Sequence, residues 1–179
     1  MVQQYGDLLI RDAAAGDAEQ LCRWWNDGNV MAHAGFPNGL GTTAEAVRKQ
    51  LEENKTGHAA NNRRHIILWQ NRPIGEMNYH EMEPGTCEIG IKICDASMQN
   101  KGLGKKILSL FIRALFEEYG YQKIILDTNA KNLRAQHVYE QLGFQKLRVN
   151  RNSWQDQLGD WQSSVDYELT KEAFISYLV

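Results

Sequence analysis

Cysteine is scarce in this chain. There are three, Cys22, Cys87 and Cys94, with no C-x-x-C among them. An odd, unspaced set argues against a disulfide framework and points to a reducing compartment. No cluster of His, Cys or Asp has ligand spacing, so no metal is expected. Neither sign of charge dominates: 20 Lys and Arg face 22 Asp and Glu, a net charge of −2. That balance argues against a nucleic-acid or membrane-surface partner recruited by bulk charge. No apolar run approaches membrane length, and Met1–Asp7 lacks the basic-then-apolar pattern of a leader. Repeats, linkers and low-complexity tracts are missing too. What remains is one domain over residues 1–179, long enough to bury a core and expected in the cytoplasm.

Periodicity orders the elements. Leu8–Ile10 reads as a first strand. Asp17-Ala-Glu-Gln20 has capping-box form and opens a helix with Ala18, Leu21, Cys22 and Trp25 on one face. Asn26 to Gly41 holds four glycines and a proline, which predicts a loop or short hairpin. Thr42-Thr-Ala-Glu45 is a second capping box, and the polar stretch Asn54 to Arg64 is expected to be mobile. Ile66–Trp69 and Ile74–Tyr79 read as a hairpin, followed by a turn at Pro84-Gly85 and a central strand ending at Cys94. A helix runs from the following loop to about Tyr119. Then come a strand at Lys123–Asp127, a helix at Leu133–Leu142, and closing strands at Phe144–Asn150 and Ser163–Leu169. Lys171 to Leu178 reads as a short helical tail. The helix between the central strand and Lys123–Asp127 predicts that these two strands are parallel.

The chain is organised around Glu88–Cys94 and the loop after it, Gln99-Asn-Lys-Gly-Leu-Gly-Lys105. Strand, glycine loop and helix together make an anion site. Glycines let backbone N–H groups approach a phosphate, and the helix N-terminus adds partial positive charge. The loop is not a P-loop, because no Gly-Lys-Ser/Thr follows. Ile107 stands where a dinucleotide fingerprint would need its third glycine.

The form Gln-x-x-Gly-x-Gly at Gln99–Gly104 is followed by Asn132-x-x-Ala135-x-x-x-Tyr139-x-x-x-Gly143-Phe144. This ordered pair resembles the GNAT superfamily of acetyl-CoA-dependent N-acetyltransferases. Asp17-Ala-Glu-Gln-Leu, Trp24-Trp25-Asn26-Asp27, Val30 and Glu88-Ile-Gly resemble its branch of ribosomal-protein alanine, spermidine and aminoglycoside N-acetyltransferases. The resemblance implies a mixed α+β fold. A mostly antiparallel sheet of about six to seven strands would have helices on both faces and a splay between the central strand and the next one.

The resemblance also implies roles. Ile91, Lys92 and Ile93 would pair with the pantetheine arm of acetyl-CoA. Gln99, Asn100, Lys101, Gly102, Leu103, Gly104 and Lys105 would cradle its pyrophosphate. Lys131 and Arg134 read as solvated. Asn132 is an N-cap by position and a cofactor contact by resemblance. Tyr139 is a core residue by periodicity. By resemblance it is the general acid, its protonated phenol able to donate to a leaving thiolate. Glu88 is the expected base, acting through water. His33, His80 and His137 compete by residue type only.

The acceptor pocket is expected along Trp25–Phe36, Tyr79–Glu81 and the Trp154–Trp161 connection. Its acids, Asp27, Glu81, Glu83, Asp156 and Asp160, would suit a cationic amine. Two acceptor classes fit: a small polyamine or aminoglycoside, and the N-terminal amine of a protein. A non-catalytic acyl-CoA-binding sensor or scaffold is the alternative function. A purely structural α/β domain would make the paired motifs coincidence. A homodimer is compatible with all of these.

Overall fold

The computed structural model describes residues 1–56 and 62–178. Eight strands form one sheet: β1 (Val2–Tyr5), β2 (Leu8–Asp12), β3 (Asn62–Trp69), β4 (Arg72–Glu83), β5 (Thr86–Ile93), β6 (Lys123–Asn129), β7 (Gln145–Gln155) and β8 (Trp161–Thr170). Five helices accompany them: α1 (Ala18–Trp25), α2 (Gly28–Met31), α3 (Ala44–Thr56), α4 (Leu103–Glu117) and α5 (Leu133–Gln141). The spatial order is β1-β2-β3-β4-β5-β6-β8-β7. Every neighbouring pair is antiparallel except β5 and β6, which are joined through α4. Among the described residues, no helix is long and apolar enough to cross a membrane.

Strand alternation separates two cores on opposite faces of the sheet. Leu8, Ile10, Ile67, Met77 and Ile89 pack with α4, with Tyr139 of α5 and with Leu142 at its C-cap. Leu9, Ile66 and Leu68 point the other way, against Leu21, Trp24 and Trp25 of α1 and Val47 and Leu51 of α3. In α4 the buried residues include Ile107, Leu108, Leu110, Phe111, Ile112 and Leu115, which together exceed one helical stripe. The reason is the chain's end. The Tyr177 N–H donates to Ser109 Oγ at 2.9 Å, the Ile175 N–H donates to the Leu142 carbonyl at 3.0 Å, and Phe174 packs on Phe116. Past a turn at Lys171–Ala173 that segment is not helical, because the Ile175 and Tyr177 donors are spent on Leu142 and Ser109.

Several local expectations change. Strand β1 adds one strand to the expected sheet; its four residues carry little apolar signal of their own and pair along β2. The glycine-rich stretch is no hairpin: it holds α2 and a 3-10 turn at Ala32–Ala34. Helix α3 is capped by Thr43, whose Oγ1 accepts from the Ala46 N–H at 3.2 Å, one residue later than Thr42. Asp17 does not close its expected box; its carboxylate turns back to the Ala14 N–H and to Arg11. The hairpin turn is Gln70-Asn71, both at positive φ, so Arg72 and Pro73 already belong to β4. Trp154 and Trp161 lie in strands, leaving only Asp156–Asp160 as their connection. Of the polar stretch Asn54 to Arg64, residues 57–61 lie outside the described residues, and the rest belongs to α3 and β3.

Candidate active site

The sheet opens where the sequence pattern puts its centre. β5 and β6 pair only at Thr86–Lys123, Cys87–Ile124 and Glu88–Ile125. Beyond Glu88, β5 continues to Ile93 beside β4 while β6 continues to Asn129 beside β8. The β6-facing backbone groups of Ile89–Ile93 therefore have no ladder partner. Buried backbone donors and acceptors need one, so this edge suits the amides of an extended ligand. The gap widens into a cleft of about 900 Å³.

The glycine loop closes one end of this cleft. Asn100 and Gly102 sit at φ +59° and +73°, the left-handed conformation that turns the chain into α4. The first turn of α4 has no side-chain cap and no acidic residue. Its orphan N–H groups and the positive end of a 15-residue helix face the cleft. The donor set fits a diphosphate. The loop is held from outside: Asp95 accepts from the Ser97 N–H and hydroxyl at 2.9 and 2.6 Å and pairs with Arg72. These bonds hold the Asp95 carboxyl below its usual range. Gln99 donates to the Ile93 carbonyl at 2.9 Å.

Ile91, Lys92, Ile93, Gln99, Asn100, Gly102, Leu103, Gly104, Lys105 and Asn132 all line the cleft. Lys101 does not. It faces a smaller hollow of about 510 Å³ with Arg72 and Lys106. Arg134, read as solvated, reaches the loop and donates to Gln99 Oε1 at 3.0 Å. Lys92 is not a free cation, since its Nζ lies 3.7 Å from the buried Glu76 carboxylate. Glu76 also accepts from Trp25 Nε1 at 2.7 Å and pairs with Arg64. Trp25 is thus a buried partner of Glu76 and no pocket wall.

Helix α5 supplies the opposite side. Asn132 Oδ1 accepts from the Ala135 N–H at 3.2 Å, the N-cap read from the sequence. Tyr139 is the core residue that periodicity predicts, and it is also placed at the cleft. Its ring packs at 5.7 and 5.8 Å from Phe144 and Tyr167. Its hydroxyl has no hydrogen-bond partner among the described residues. Burial, with a contribution from the Asp127 carboxylate, pushes the phenol well above its ordinary pKa. It is a proton carrier at neutral pH.

Glu88 occupies the last paired position before the splay, with Gly90 and Lys92 on its face. Its carboxylate turns to His80 Nε2 at 3.0 Å and is not part of the cleft wall. Asp127, on β6, is. Its carboxylate makes no ion pair or side-chain hydrogen bond among the described residues, and partial burial and the neighbouring Asp166 raise its pKa. Asp166 is itself clamped by Arg148, at 2.9 and 2.8 Å. Sequence reading passed over Asp127 as a strand residue; the signal was a carboxylate on β6 one turn of chain before the Asn132 motif. Of the expected acceptor acids, none lines the cleft. Asp27 caps the Asn29 N–H, and Asp156 accepts from Leu158 and Asp160 within its own turn. Asn29, Val30, His33 and Trp154 do reach the cleft, while Tyr79 packs on the α4 side.

A family model described as the acetyltransferase (GNAT) domain matches residues 7–145. The chain belongs to the GNAT acetyltransferases. It is an N-acetyltransferase whose co-substrate is acetyl-CoA. It is 25% identical over 156 residues to an aminoglycoside N(6')-acetyltransferase type 1 of Klebsiella pneumoniae, covering 78% of this chain and 74% of that one. Its fold is shared with a spermidine N-acetyltransferase of Vibrio cholerae solved with CoA and spermine, at a TM-score of 0.83 and 20% identity over 94% of this chain and 98% of that one. A ribosomal L7/L12 α-N-protein acetyltransferase solved with coenzyme A gives a TM-score of 0.84 at 18% identity, over 97% and 99%.

Proposed function

We propose that this acetyltransferase modifies a primary amine on a small cationic acceptor of the polyamine or aminoglycoside type. The observation that carries the reading is Asp127: an unpaired carboxylate beside Tyr139, in the cleft, with Glu88 and Asp166 adding negative potential behind it. A positively charged amino group of the acceptor meets attraction there. The similarity to an aminoglycoside acetyltransferase over most of both chains supports the same class.

The residues divide the work as follows. The unpaired edge of β5 and the α4 N-terminus hold the pantetheine and pyrophosphate of acetyl-CoA, which supplies the acetyl thioester. Arg134, Lys105 and the loop amides offset the phosphate charge. The amine nitrogen attacks the thioester carbonyl, forming the N–C bond as the C–S bond breaks. Asp127 takes the proton released by nitrogen, directly or through one water. Tyr139 gives its proton to the departing sulfur. Asp127 replaces Glu88 as the base because Glu88 is turned to His80. Glu88 is raised in pKa by burial and by the carboxylates of Asp127 and Asp166, against His80, and acts as part of the local field.

The test is thiol release from acetyl-CoA with kanamycin, spermidine and peptides bearing free N-termini. The expected result is turnover with kanamycin or spermidine. Asp127→Asn should cost about 100-fold or more in kcat, within the range for a lost general base, and Glu88→Gln less than about tenfold. Turnover with peptides alone would overturn the acceptor class. Silence across the panel with acetyl-CoA still bound would favour the sensor function.

A further inference from the structure

The acceptor end of the cleft has two walls from distant parts of the chain. One is the glycine-rich strap that follows α1, which brings His33 and Ala34 to the cleft. The other is Trp154 near the tip of the β7–β8 hairpin. One residue joins them. The Gln157 backbone N–H donates to the Gly35 carbonyl at 2.8 Å. Its side-chain Oε1 accepts from the Asn38 N–H at 2.9 Å, and its Nε2 donates to the Gly39 carbonyl at 3.0 Å. Both ends of the amide and the backbone are thus committed to the strap, although the side chain lies at an exposed turn.

Each partner is also held by hydrogen bonds of its own. Asp156 fixes the turn by accepting from the Leu158 and Asp160 N–H groups and, at 2.7 Å, from Gln162 Nε2. The strap is fixed from beneath: the Leu40 N–H donates to the Trp25 carbonyl at 2.8 Å, and the Asn26 amide exchanges two hydrogen bonds with the Thr42 backbone. Where the walls touch there is no slack. A Cβ on Gly35, which sits at φ +93°, would fall 2.5 Å from the Trp154 ring.

We propose that Gln157 is a positioning residue for the acceptor, a clasp that fixes the spacing between His33 and Trp154 and so orients the amine before attack. It touches neither co-substrate nor reacting atoms. The cofactor end, built on β5, α4 and α5, has no part in the clasp. The effect must therefore fall on one substrate only, because positioning enters through the geometry of the bound amine. The proposal rests on the amine-transfer reading above.

Gln157→Ala tests it, with kanamycin and spermidine as the varied substrates. The expected result is a KM for the amine raised about tenfold, with the KM for acetyl-CoA and the melting temperature kept. An amine KM within twofold of wild type would overturn the proposal, as would equal rises in both KM values. If the wild-type chain turns over no amine, the transfer reading has failed, and the clasp is then read by hydrogen exchange. Gln157→Ala must speed exchange of the Asn38 amide while that of α4 stays as in wild type. Unchanged exchange at Asn38 would overturn the clasp itself.

Discussion

Two residues show how burial sets proton chemistry in opposite ways. Tyr139 is 7% exposed and held neutral, the state that the proposed role of proton donor to the departing thiolate requires. His65 is 1% exposed and packs between Tyr79, stacked at 5.6 Å, and Phe111. Its Nδ1 lies 3.1 Å from Asp12, without hydrogen-bond geometry, and desolvation outweighs that carboxylate's pull. The imidazole pKa falls from 6.5 to about 4. Between those two values the unfolded chain binds a proton that the folded chain refuses. His65 therefore contributes stability that is complete above pH 6.5 and is lost as pH falls towards 4. At about 1.4 kcal/mol per unit the loss approaches about 3 kcal/mol. Denaturant melts of wild type and His65→Phe across that range should show a steep acid slope in the first and a flatter one in the second. Parallel slopes would contradict the assignment.

At the scale of elements, the C-terminal segment matters more than its length suggests. It closes over α4 and α5 and meets Gly143, the residue that ends α5 at φ +95°. A Cβ there would lie 2.0 Å from the Ala173 carbonyl oxygen. Backbone cannot yield as a flexible side chain can, and the left-handed φ adds its own cost. Gly143→Ala should therefore destabilise the protein by about 2 to 4 kcal/mol, read as a lower urea midpoint. A midpoint within error of wild type would show that the segment does not pack as described. The same element shows where sequence reading stops. The Gly143 cap was legible because helix periodicity ended there. The non-helical course of Lys171 to Leu178 was not, because it depends on Ser109 and Leu142, far away in sequence. Strand β1 was missed for a similar reason: its pairing with β2 does not show in its own composition.

For the whole molecule, motif spacing carried the proposed cofactor end of the cleft further than the other end. Gln99–Lys105 and Asn132–Tyr139 are each local in sequence, so their geometry follows from loop and helix rules, and the structure brings both motifs to one cleft, Lys101 excepted. The acceptor half was poorly legible. In the proposal its residues come from the strap, β6 and the β7–β8 hairpin, which are far apart in sequence and meet through the sheet's splay, the Gln157 bonds and the Gly35–Trp154 contact. Loop acids such as Asp156 looked available in sequence and proved to be spent on their own turns. Asp127 looked structural and proved to be open to the cleft. The central claim is that this cleft transfers acetyl with Tyr139 as the proton donor. The most direct measurement compares wild type with Tyr139→Phe, in thiol release from acetyl-CoA with kanamycin or spermidine and in acetyl-CoA binding by calorimetry. The account predicts a kcat lower by about 100-fold or more with the dissociation constant for acetyl-CoA nearly unchanged. Unchanged turnover in Tyr139→Phe would contradict it.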